Sequence, residues 1–261
     1  MDSPVFGLEL DQILLFGDSL TQWNFNPDNL GWVARFSHAF VRCVDVVNRG
    51  YSGFSTDWCL RIFPSTLASI LPKSHARLRL VVIFLGTNDA VTLETSHQYV
   101  SLDRFRSNIK AMIASVRELH PDARIVLVSP PPMHDGMYEQ FCKDYQVPLD
   151  RSHERTRLFH QACLDIASEE DIVALNTWSL LLGPSESYDS ETLAKYFFDG
   201  LHFNAEGNKA FASALLLLIK QTWPELDPDV MLKSTIIPLE ENLVGLSKDE
   251  VAQALVQNAR H

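Results

Sequence analysis

The fold is decided by the stretch QILLFGDS at residues 12–19, where an apolar run stops at a glycine and polar residues follow at once. Four further runs rich in Val, Ile and Leu occupy residues 44–48, 80–85, 124–129 and 171–176. These runs are nearly continuous rather than alternating, which is typical of strands that are buried on both faces. The pattern therefore predicts five central strands.

Amphipathic stretches of helical length lie between these runs, at residues 30–42, 56–70, 101–120, 150–168 and 205–223. The second of these predicted helices, over residues 56–70, could be interrupted at Pro64. Asp150 and Asn204 are suitable N-caps for the fourth and fifth helices. Strands that alternate with helices predict an α/β fold with a doubly wound parallel sheet and right-handed crossovers.

The 261 residues are enough for one large hydrophobic core, and we expect a single domain over residues 1–223. Prolines then break the pattern, so residues 224–261 form a C-terminal extension. A last helix is predicted over residues 247–258, with a capping box from Ser247 to Glu250. The extension either folds onto its own domain or docks as an arm on a second subunit, giving a homodimer.

Composition narrows the class of partner. The chain has 22 Lys and Arg against 33 Asp and Glu, a net charge of −11, and its basic residues are scattered singly. A surface that binds phosphates needs clustered positive charge, so nucleic acid and anionic membranes are poor partners. The apolar run at residues 214–219 is far shorter than the roughly 20 residues that a membrane span requires.

Cysteine spacing and motifs narrow the chemistry further. The four cysteines form no CxxC pair, and residues 1–4 lack the pattern of a signal peptide, so we expect reduced, core-filling thiols in a cytoplasmic protein. The chain lacks the GxSxG, GxGxxG and Walker A motifs. Its histidines show neither HExxH nor a Cys-supported pattern, so we assign no metal.

Polar residues follow the predicted strands in the segments 17–21, 49–53, 86–89 and, ahead of the last domain helix, 199–202. In an open parallel sheet, ligands bind at the carboxyl ends of the strands, and we expect these segments to meet there. Together they supply a hydroxyl, a backbone amide, a carboxamide and an acid–histidine pair. Those are the groups that an acyl-transfer enzyme needs.

Ser19 can expose its hydroxyl at a helix N-terminus, although Asp18 or Ser19 could also merely cap that helix. His202 can accept the serine proton while Asp199 fixes its tautomer, unless the two form an ordinary surface pair. Asp150 and His153 form a rival D-x-x-H pair. We favour Asp199 and His202, because the rival is expected at the start of a helix, as surface neighbours after about twenty irregular residues.

Three N–H donors could bind a carbonyl oxygen that becomes negative: the side-chain amide of Asn88 and the backbone amides of Gly53 and Ser19. The plainer alternatives are an Asx-turn at Asn88 and an ordinary turn at Gly53. Aromatic residues flank the site in sequence and either wall an apolar substrate pocket or simply pack in loops and core. They are Trp23, Phe25 and Phe203.

The blocks GDSL (17–20), Gly53, GTND (86–89) and DGLH (199–202) resemble those of the GDSL lipase/esterase family, also called SGNH hydrolases, over residues 12–223. The resemblance implies a three-layer, flavodoxin-like fold and ester hydrolysis through an acyl-enzyme without a cofactor. Ser19 would then be the nucleophile, His202 the base and Asp199 its orienting acid. The oxyanion hole would come from Ser19, Gly53 and Asn88.

Within that family, the chain is similar to the isoamyl acetate-hydrolysing esterases in the segments LFGDSLT (15–21), NRGYSG (48–53) and PPP (130–132). The prediction is a serine esterase, a carboxylic ester hydrolase, whose partner is a small ester with an acetyl or short acyl group. A carbohydrate O-deacetylase and a thioesterase are alternatives on the same site. A catalytically silent protein used for binding or assembly is a third.

Overall fold

The computed structural model describes residues 10–70, 76–233, 244–247 and 250–251. Its sheet contains five parallel strands in the order β2-β1-β3-β4-β5. The strands are β1 (Gln12–Gly17), β2 (Asp45–Gly50), β3 (Leu78–Phe84), β4 (Arg124–Val128) and β5 (Val173–Leu175). The predicted parallel sheet is confirmed, and its strand order is that of flavodoxin-like folds.

Ten α-helices accompany the sheet in the described residues: α1 (Ser19–Gln22), α2 (Trp32–Ala39), α3 (Thr56–Ser69), α4 (Leu102–Leu119), α5 (Asp135–Tyr145), α6 (His153–Glu169), α7 (Thr177–Leu182), α8 (Ser190–Leu193), α9 (Ala205–Thr222) and α10 (Pro228–Lys233). The five predicted helices correspond to α2, α3, α4, α6 and α9. Helix α3 continues through Pro64 without a break.

Two hydrophobic clusters cover the two faces of the sheet. Ile13 and Leu15 of β1 belong to the cluster that also contains residues of α2, α7 and α9. Leu14 and Phe16 belong to the other, which contains residues of α3, α4 and α6. Because successive side chains of a strand point to opposite faces, one continuous apolar run supplies both clusters. The result is the expected three-layer α/β/α fold.

The two edge strands differ from the prediction. Most residues of β2 and β5 are only partly buried, whereas β3 is buried along nearly its whole length. An edge strand has a neighbour on one side only, and fewer helices cover it. The expectation of five strands buried on both faces is therefore wrong for these two, because apolar composition does not reveal a strand's position in the sheet.

The structure confirms one predicted N-cap and corrects another. The side chain of Asn204 accepts hydrogen bonds from the backbone amides of Glu206 and Gly207, which confirms it as the N-cap of α9. Asp150 does not cap α6, because Ser152 does so by accepting from the amide of Arg155. The segment between β4 and α6, expected to be irregular, contains the 11-residue helix α5.

Part of the C-terminal extension packs on the domain. Leu226 and Met231 are buried in the same cluster as α2 and α9. Ser247 and Glu250 make the reciprocal hydrogen bonds of a capping box, and the rest of the predicted helix over 247–258 lies largely outside the described residues. Docking of the extension on a second subunit stays a prediction.

The cysteines behave as core residues. All four are free and buried: Cys43, Cys59, Cys142 and Cys163. Burial raises the pKa of each thiol, so all four stay protonated at neutral pH.

Among the described residues, we find no helix with the length and hydropathy needed to cross a bilayer. The cytoplasmic location stays a prediction.

Candidate active site

The register of the sheet brings three of the predicted segments to one edge. Gly17, the last residue of β1, lies opposite Gly50 of β2 and Phe84 of β3. The Tyr51 amide also donates to the Gly17 carbonyl over 2.8 Å. The segments that follow these strands therefore leave the sheet at the same level, although up to 70 residues separate them in the chain.

Ser19 is the first residue of α1, directly after β1. Asp18 is the N-cap, since its carboxylate accepts from the Leu20 amide over 2.9 Å. The hydroxyl of Ser19 lies 2.9 Å from Nε2 of His202, 183 positions away in the chain. Asp18 therefore caps the helix, and Ser19 is left to present its hydroxyl to His202.

The second ring nitrogen of His202, Nδ1, is hydrogen-bonded to Asp199. Nδ1 lies 2.7 Å from Oδ2 of Asp199, whose second oxygen accepts from the backbone amides of Leu201 and His202. Burial raises the pKa of Asp199, but the hydrogen bond and charge of His202 and the two amides outweigh it, so the pKa lies below its ordinary value. The ionised acid fixes the tautomer in which Nε2 is free to accept a proton.

The loop that holds this pair is locked against α5. Gly200 has φ +87°, and a Cβ there would lie 2.5 Å from the carbonyl oxygen of His134 and 2.6 Å from the Tyr138 amide. The His134 amide donates to the Gly200 carbonyl over 2.8 Å. Only glycine fits this position, both for its backbone conformation and for its space. Helix α5, which sequence reasoning missed, is therefore part of the support for the acid–histidine pair.

The rival pair Asp150 and His153 does not form. Oδ1 of Asp150 accepts hydrogen bonds from Tyr138 and Arg151, and the ring of His153 lies by the Met133 carbonyl, 3.2 Å from Nδ1. His153 is buried, so the expectation that the two are surface neighbours is wrong. Aromatic residues of α7 and of the segment after it surround the imidazole of His153. The spacing D-x-x-H gives no sign of this burial.

Asn88 and Gly53 lie next to each other. Nδ2 of Asn88 donates to the Phe54 carbonyl over 3.0 Å, and Gln98 donates both to Oδ1 of Asn88 and to the Gly53 carbonyl. Gly53 has φ +80°, a conformation that favours glycine. One N–H of the Asn88 side-chain amide thus donates to the Phe54 carbonyl, and the other N–H has no partner among these hydrogen bonds.

Two aromatic rings lie close to the imidazole of His202. The ring of Trp23 lies 4.4 Å from it, centroid to centroid, and the ring of Phe198 lies 5.7 Å away in a stacked arrangement. Trp23 is 44% exposed and Phe198 53% exposed. Phe25 is also exposed, on the short turn that contains Trp23. The surface around the histidine is therefore apolar and open to solvent.

Phe203 is not part of this surface. It is 1% exposed and stacks on Phe197 in the core cluster of α2 and α9, so the simple core interpretation is the right one. Phe197 and Phe203 form an antiparallel bridge. Neighbours in an extended segment point to opposite sides, which directs His202 to the site and Phe203 to the core.

Two buried acids lie in the same segments as these groups. Burial raises the pKa of Asp18 to about 6 and that of Asp89 to about 7. Asp89 accepts hydrogen bonds from the amide and the hydroxyl of Thr56 at the start of α3. It thereby joins the segment after β3 to the helix that follows Gly53, and this structural role was not predicted.

The shifted pKa of Asp18 gives a prediction about stability. A folded-state pKa above the ordinary 3.8 means that stability is full below pH 3.8 and is lost as pH rises through about 6. The variant Asp18→Asn keeps a capping oxygen and cannot ionise. We expect its free energy of unfolding, relative to wild type, to rise by about 2–3 kcal/mol between pH 4 and pH 7.5.

Urea unfolding at several pH values measures this difference, because burial is the largest cause of the raised pKa of Asp89 and the charge of Asp18 adds only a lesser part to it. Asp28→Asn, at an exposed position, is the control for general loss of one negative charge. A constant difference between Asp18→Asn and wild type across the pH range would contradict the shift.

No group of three or more His, Cys, Asp or Glu side chains suited to a metal ion occurs among the residues that the structure describes. The groups that meet at the site are a hydroxyl beside an imidazole, an acid behind the imidazole and an amide donor on a neighbouring loop. Such a set can move a proton from the hydroxyl to the ring and stabilise a developing oxyanion.

Comparison with known sequences identifies relatives along most of the chain. A model of the "GDSL-like Lipase/Acylhydrolase family" matches residues 15–210. The bovine isoamyl acetate-hydrolyzing esterase 1 homolog is 35% identical over 214 residues, covering 80% of this chain and 82% of that protein. The isoamyl acetate-hydrolyzing esterase of Saccharomyces cerevisiae is 28% identical, covering 86% and 92%.

Solved structures share the architecture at lower identity. A lipase/acylhydrolase from Enterococcus faecalis superposes with a TM-score of 0.58 at 21% identity, covering 81% of this chain and 96% of that one. A catalytic mutant of an acetylxylan esterase from Geobacillus stearothermophilus gives a TM-score of 0.60 at 16% identity, covering 81% and 94%. At these identities the likeness concerns the fold.

Proposed function

This chain belongs to the GDSL-like lipase/acylhydrolase family and is a carboxylic ester hydrolase, and we propose that it cleaves small esters with Ser19 as nucleophile. The observation that carries the proposal is the chain of hydrogen bonds from Asp199 through His202 to Ser19, at 2.7 and 2.9 Å. An acid, an imidazole and a hydroxyl in that order form the arrangement of a serine hydrolase.

In the first half of the proposed reaction, Oγ of Ser19 attacks the ester carbonyl carbon and its proton passes to Nε2 of His202. The carbonyl oxygen becomes an oxyanion, which we assign to the backbone amides of Ser19 and Gly53 and the free N–H of Asn88. When the intermediate collapses, the C–O bond to the alcohol breaks and His202 returns the proton to the leaving oxygen. The product is an acyl-enzyme on Ser19.

In the second half, water takes the place of the alcohol. His202 removes a proton from the water, the hydroxide attacks the acyl carbon, and the same donors hold the second oxyanion. The ester bond to Ser19 then breaks, Ser19 regains its proton from His202, and the free acid leaves. Asp199 keeps its negative charge throughout and stabilises the imidazolium in both halves.

The rim around His202 supports an apolar substrate of modest size. Trp23 and Phe198 present exposed rings next to the imidazole, and we assign them with Phe25 to the binding of the acyl or alcohol group. Such walls favour acetyl and short acyl esters of apolar alcohols. The relatives named for isoamyl acetate hydrolysis point in the same direction.

A panel of esters tests the substrate class. We expect kcat/KM to be highest for acetyl to butyryl esters of small apolar alcohols and to fall for longer acyl chains. Acetylated xylose oligosaccharides and acyl-CoA thioesters belong in the same panel. A kcat/KM for either that exceeds the value for every short ester would transfer the assignment to a carbohydrate O-deacetylase or to a thioesterase.

Asn88→Ala tests the oxyanion hole. Because the hydrogen bond to the oxygen strengthens only as negative charge develops, we expect kcat to fall by about 10²–10³-fold with little change in KM. Steady-state kinetics with p-nitrophenyl acetate measure both constants. Asn29→Ala, the same change at an exposed asparagine, serves as control. An unchanged kcat in Asn88→Ala would remove this residue from the site.

A further inference from the structure

Arg151 is a buried cation next to the loop of Asn88. It precedes Ser152, the N-cap of α6, and its side chain is only 8% exposed. The mechanism above does not use it. Buried guanidinium groups are costly unless all their N–H groups find acceptors and a counter-charge lies close by. The arrangement of those acceptors therefore indicates what the residue does.

Each of the five N–H groups of Arg151 can be assigned an acceptor. Nη1 lies 2.7 Å from Oδ1 of Asp150, which supplies the counter-charge, and 2.8 Å from the hydroxyl of Tyr138. Nε lies 3.4 Å from the Thr87 carbonyl. Nη2 is directed at the loop of Asn88. The guanidinium is thus fixed on one side by an ion pair and on the other by the residues of the proposed oxyanion hole.

Nη2 joins two side-chain amides. It lies 3.1 Å from Oδ1 of Asn88 and 2.8 Å from Oε1 of Gln98. Nε2 of Gln98 in turn donates to the Gly53 carbonyl over 2.8 Å and lies 3.3 Å from Oδ1 of Asn88. Gln98 therefore connects both loop donors of the proposed oxyanion hole to one guanidinium.

This set of bonds decides which way the Asn88 amide faces. Its oxygen has two donors, from Arg151 and Gln98, and a flipped amide would place an NH₂ group against the guanidinium. The NH₂ group must therefore face away, where one hydrogen binds the Phe54 carbonyl and the other remains for a ligand. A cation on the amide oxygen also polarises the group and strengthens its N–H as a donor.

We propose that Arg151, acting through Gln98, is a positioning residue of the oxyanion hole: it holds the Asn88 amide and the Gly53 loop in the geometry that receives the negative oxygen. The inference rests on the proposed function, because it assigns a task to Asn88 and Gly53 within that reaction. Arg151 itself touches no reacting atom. Its effect should therefore appear in kcat and should depend on the presence of Asn88.

The first test is the variant Arg151→Lys. Lysine keeps the charge beside Asp150, so the fold is protected, but one ammonium cannot reproduce the planar fork that reaches Asn88 and Gln98 together. We expect kcat for p-nitrophenyl acetate to fall by about tenfold to a hundredfold, with KM changed by less than about twofold. Thermal unfolding checks that the variant is folded at the assay temperature.

A second variant, Gln98→Met, leaves the ion pair of Arg151 with Asp150 untouched and removes the hydrogen bonds that join Gln98 to Arg151, to Asn88 and to the Gly53 carbonyl. We expect a smaller fall in kcat of the same kind, by about threefold to tenfold. Arg155→Met is the matched control. Arg155 lies on α6, donates to the Val91 carbonyl and packs against aromatic rings without contact to the oxyanion donors, so kcat should stay at the wild-type value.

The decisive readout is a double-mutant cycle with Asn88→Ala. If Arg151 acts through Asn88, adding Arg151→Lys to Asn88→Ala should lower kcat by at most the roughly threefold to tenfold that passes through the Gly53 loop, which is less than its effect in the wild-type background. A merely structural arginine would give the same loss in both backgrounds. Equal losses in the two backgrounds, or an unchanged kcat in both Arg151→Lys and Gln98→Met, would overturn the inference.

The cycle also separates this inference from the function on which it rests. If hydrolysis by the wild type does not depend on Ser19, the proposed function fails, whatever Arg151 does. If hydrolysis depends on Ser19 and the losses are independent in the cycle, the proposed function stands and the positioning role of Arg151 falls.

Discussion

Ser19→Ala is expected to lower kcat for p-nitrophenyl acetate by at least about 10⁴-fold. Among the residues that the structure describes, no other hydroxyl lies within hydrogen-bond distance of the His202 ring, and serine hydrolases lose up to about 10⁶-fold on losing the nucleophile. The residual rate would come from the oxyanion donors and from binding alone. Steady-state assays of purified protein measure kcat, and circular dichroism with thermal unfolding verifies the fold.

Ser115→Ala provides the matched control for this result. Ser115 lies on the exposed face of α4, and its hydroxyl bonds only to the Ala111 carbonyl within the helix. Its loss should leave kcat at the wild-type value, so that a fall in Ser19→Ala alone is assigned to the site. Retention of more than about a tenth of the activity in a folded Ser19→Ala protein would contradict the nucleophile assignment.

Asp199→Asn is expected to lower kcat by about 10³–10⁴-fold through the tautomer of the histidine. Two backbone amides, from Leu201 and His202, converge on one oxygen of Asp199. In the variant, the single carboxamide oxygen satisfies these amides, and the NH₂ group must then face Nδ1. Nδ1 becomes the acceptor, Nε2 carries the proton, and His202 can no longer accept from Ser19.

Activity measured from pH 5 to 9 separates this account from a loss of charge alone, because a wrong tautomer lowers kcat at every pH. Asp189→Asn is the control: Asp189 is an exposed N-cap, and asparagine caps a helix equally well. A loss below about tenfold in Asp199→Asn would contradict the inverted tautomer, since His202 would then still accept the proton of Ser19.

The main outline of the site could be predicted from sequence because it depends on topology. Once the apolar runs are strands of a parallel sheet, the residues after β1, β2 and β3 must meet at one edge, and Gly17 and Gly50 do lie opposite each other. The hydrogen bond between Asp199 and His202 could be predicted without knowledge of the fold, because the two residues are three positions apart. Only the meeting of His202 with Ser19 required the fold.

The position of Phe198 beside His202 could have been predicted from the local sequence. Phe197 and Phe203 pair across an antiparallel bridge, and the Phe198 amide donates to the His202 carbonyl over 3.1 Å. Alternation along both segments then places Phe198 beside His202 and sends Phe203 to the core. Proximity in sequence favoured Phe203, but the direction of an extended side chain, rather than its distance along the chain, decides which face it occupies.

The hydrogen bonds that support the proposed oxyanion donors could not be predicted from the sequence. Arg151 occurs inside the rival D-x-x-H segment, 63 positions from Asn88, and Gln98 lies on an irregular loop. Neither belongs to a motif or a periodic pattern. Helix α5 escaped prediction because its eleven residues bury little: only Tyr138 and Cys142 are buried, so the apolar stripe that marks a helix is short.

The most direct measurement for the whole account is covalent labelling with a fluorophosphonate, followed by peptide mass spectrometry. This reagent reacts with a serine whose proton is accepted by a neighbouring base, and it leaves a stable mass on that residue. We predict one label per chain, on Ser19, and none in His202→Ala. A label on another residue, or an unlabelled Ser19 in protein that hydrolyses esters, would contradict the account.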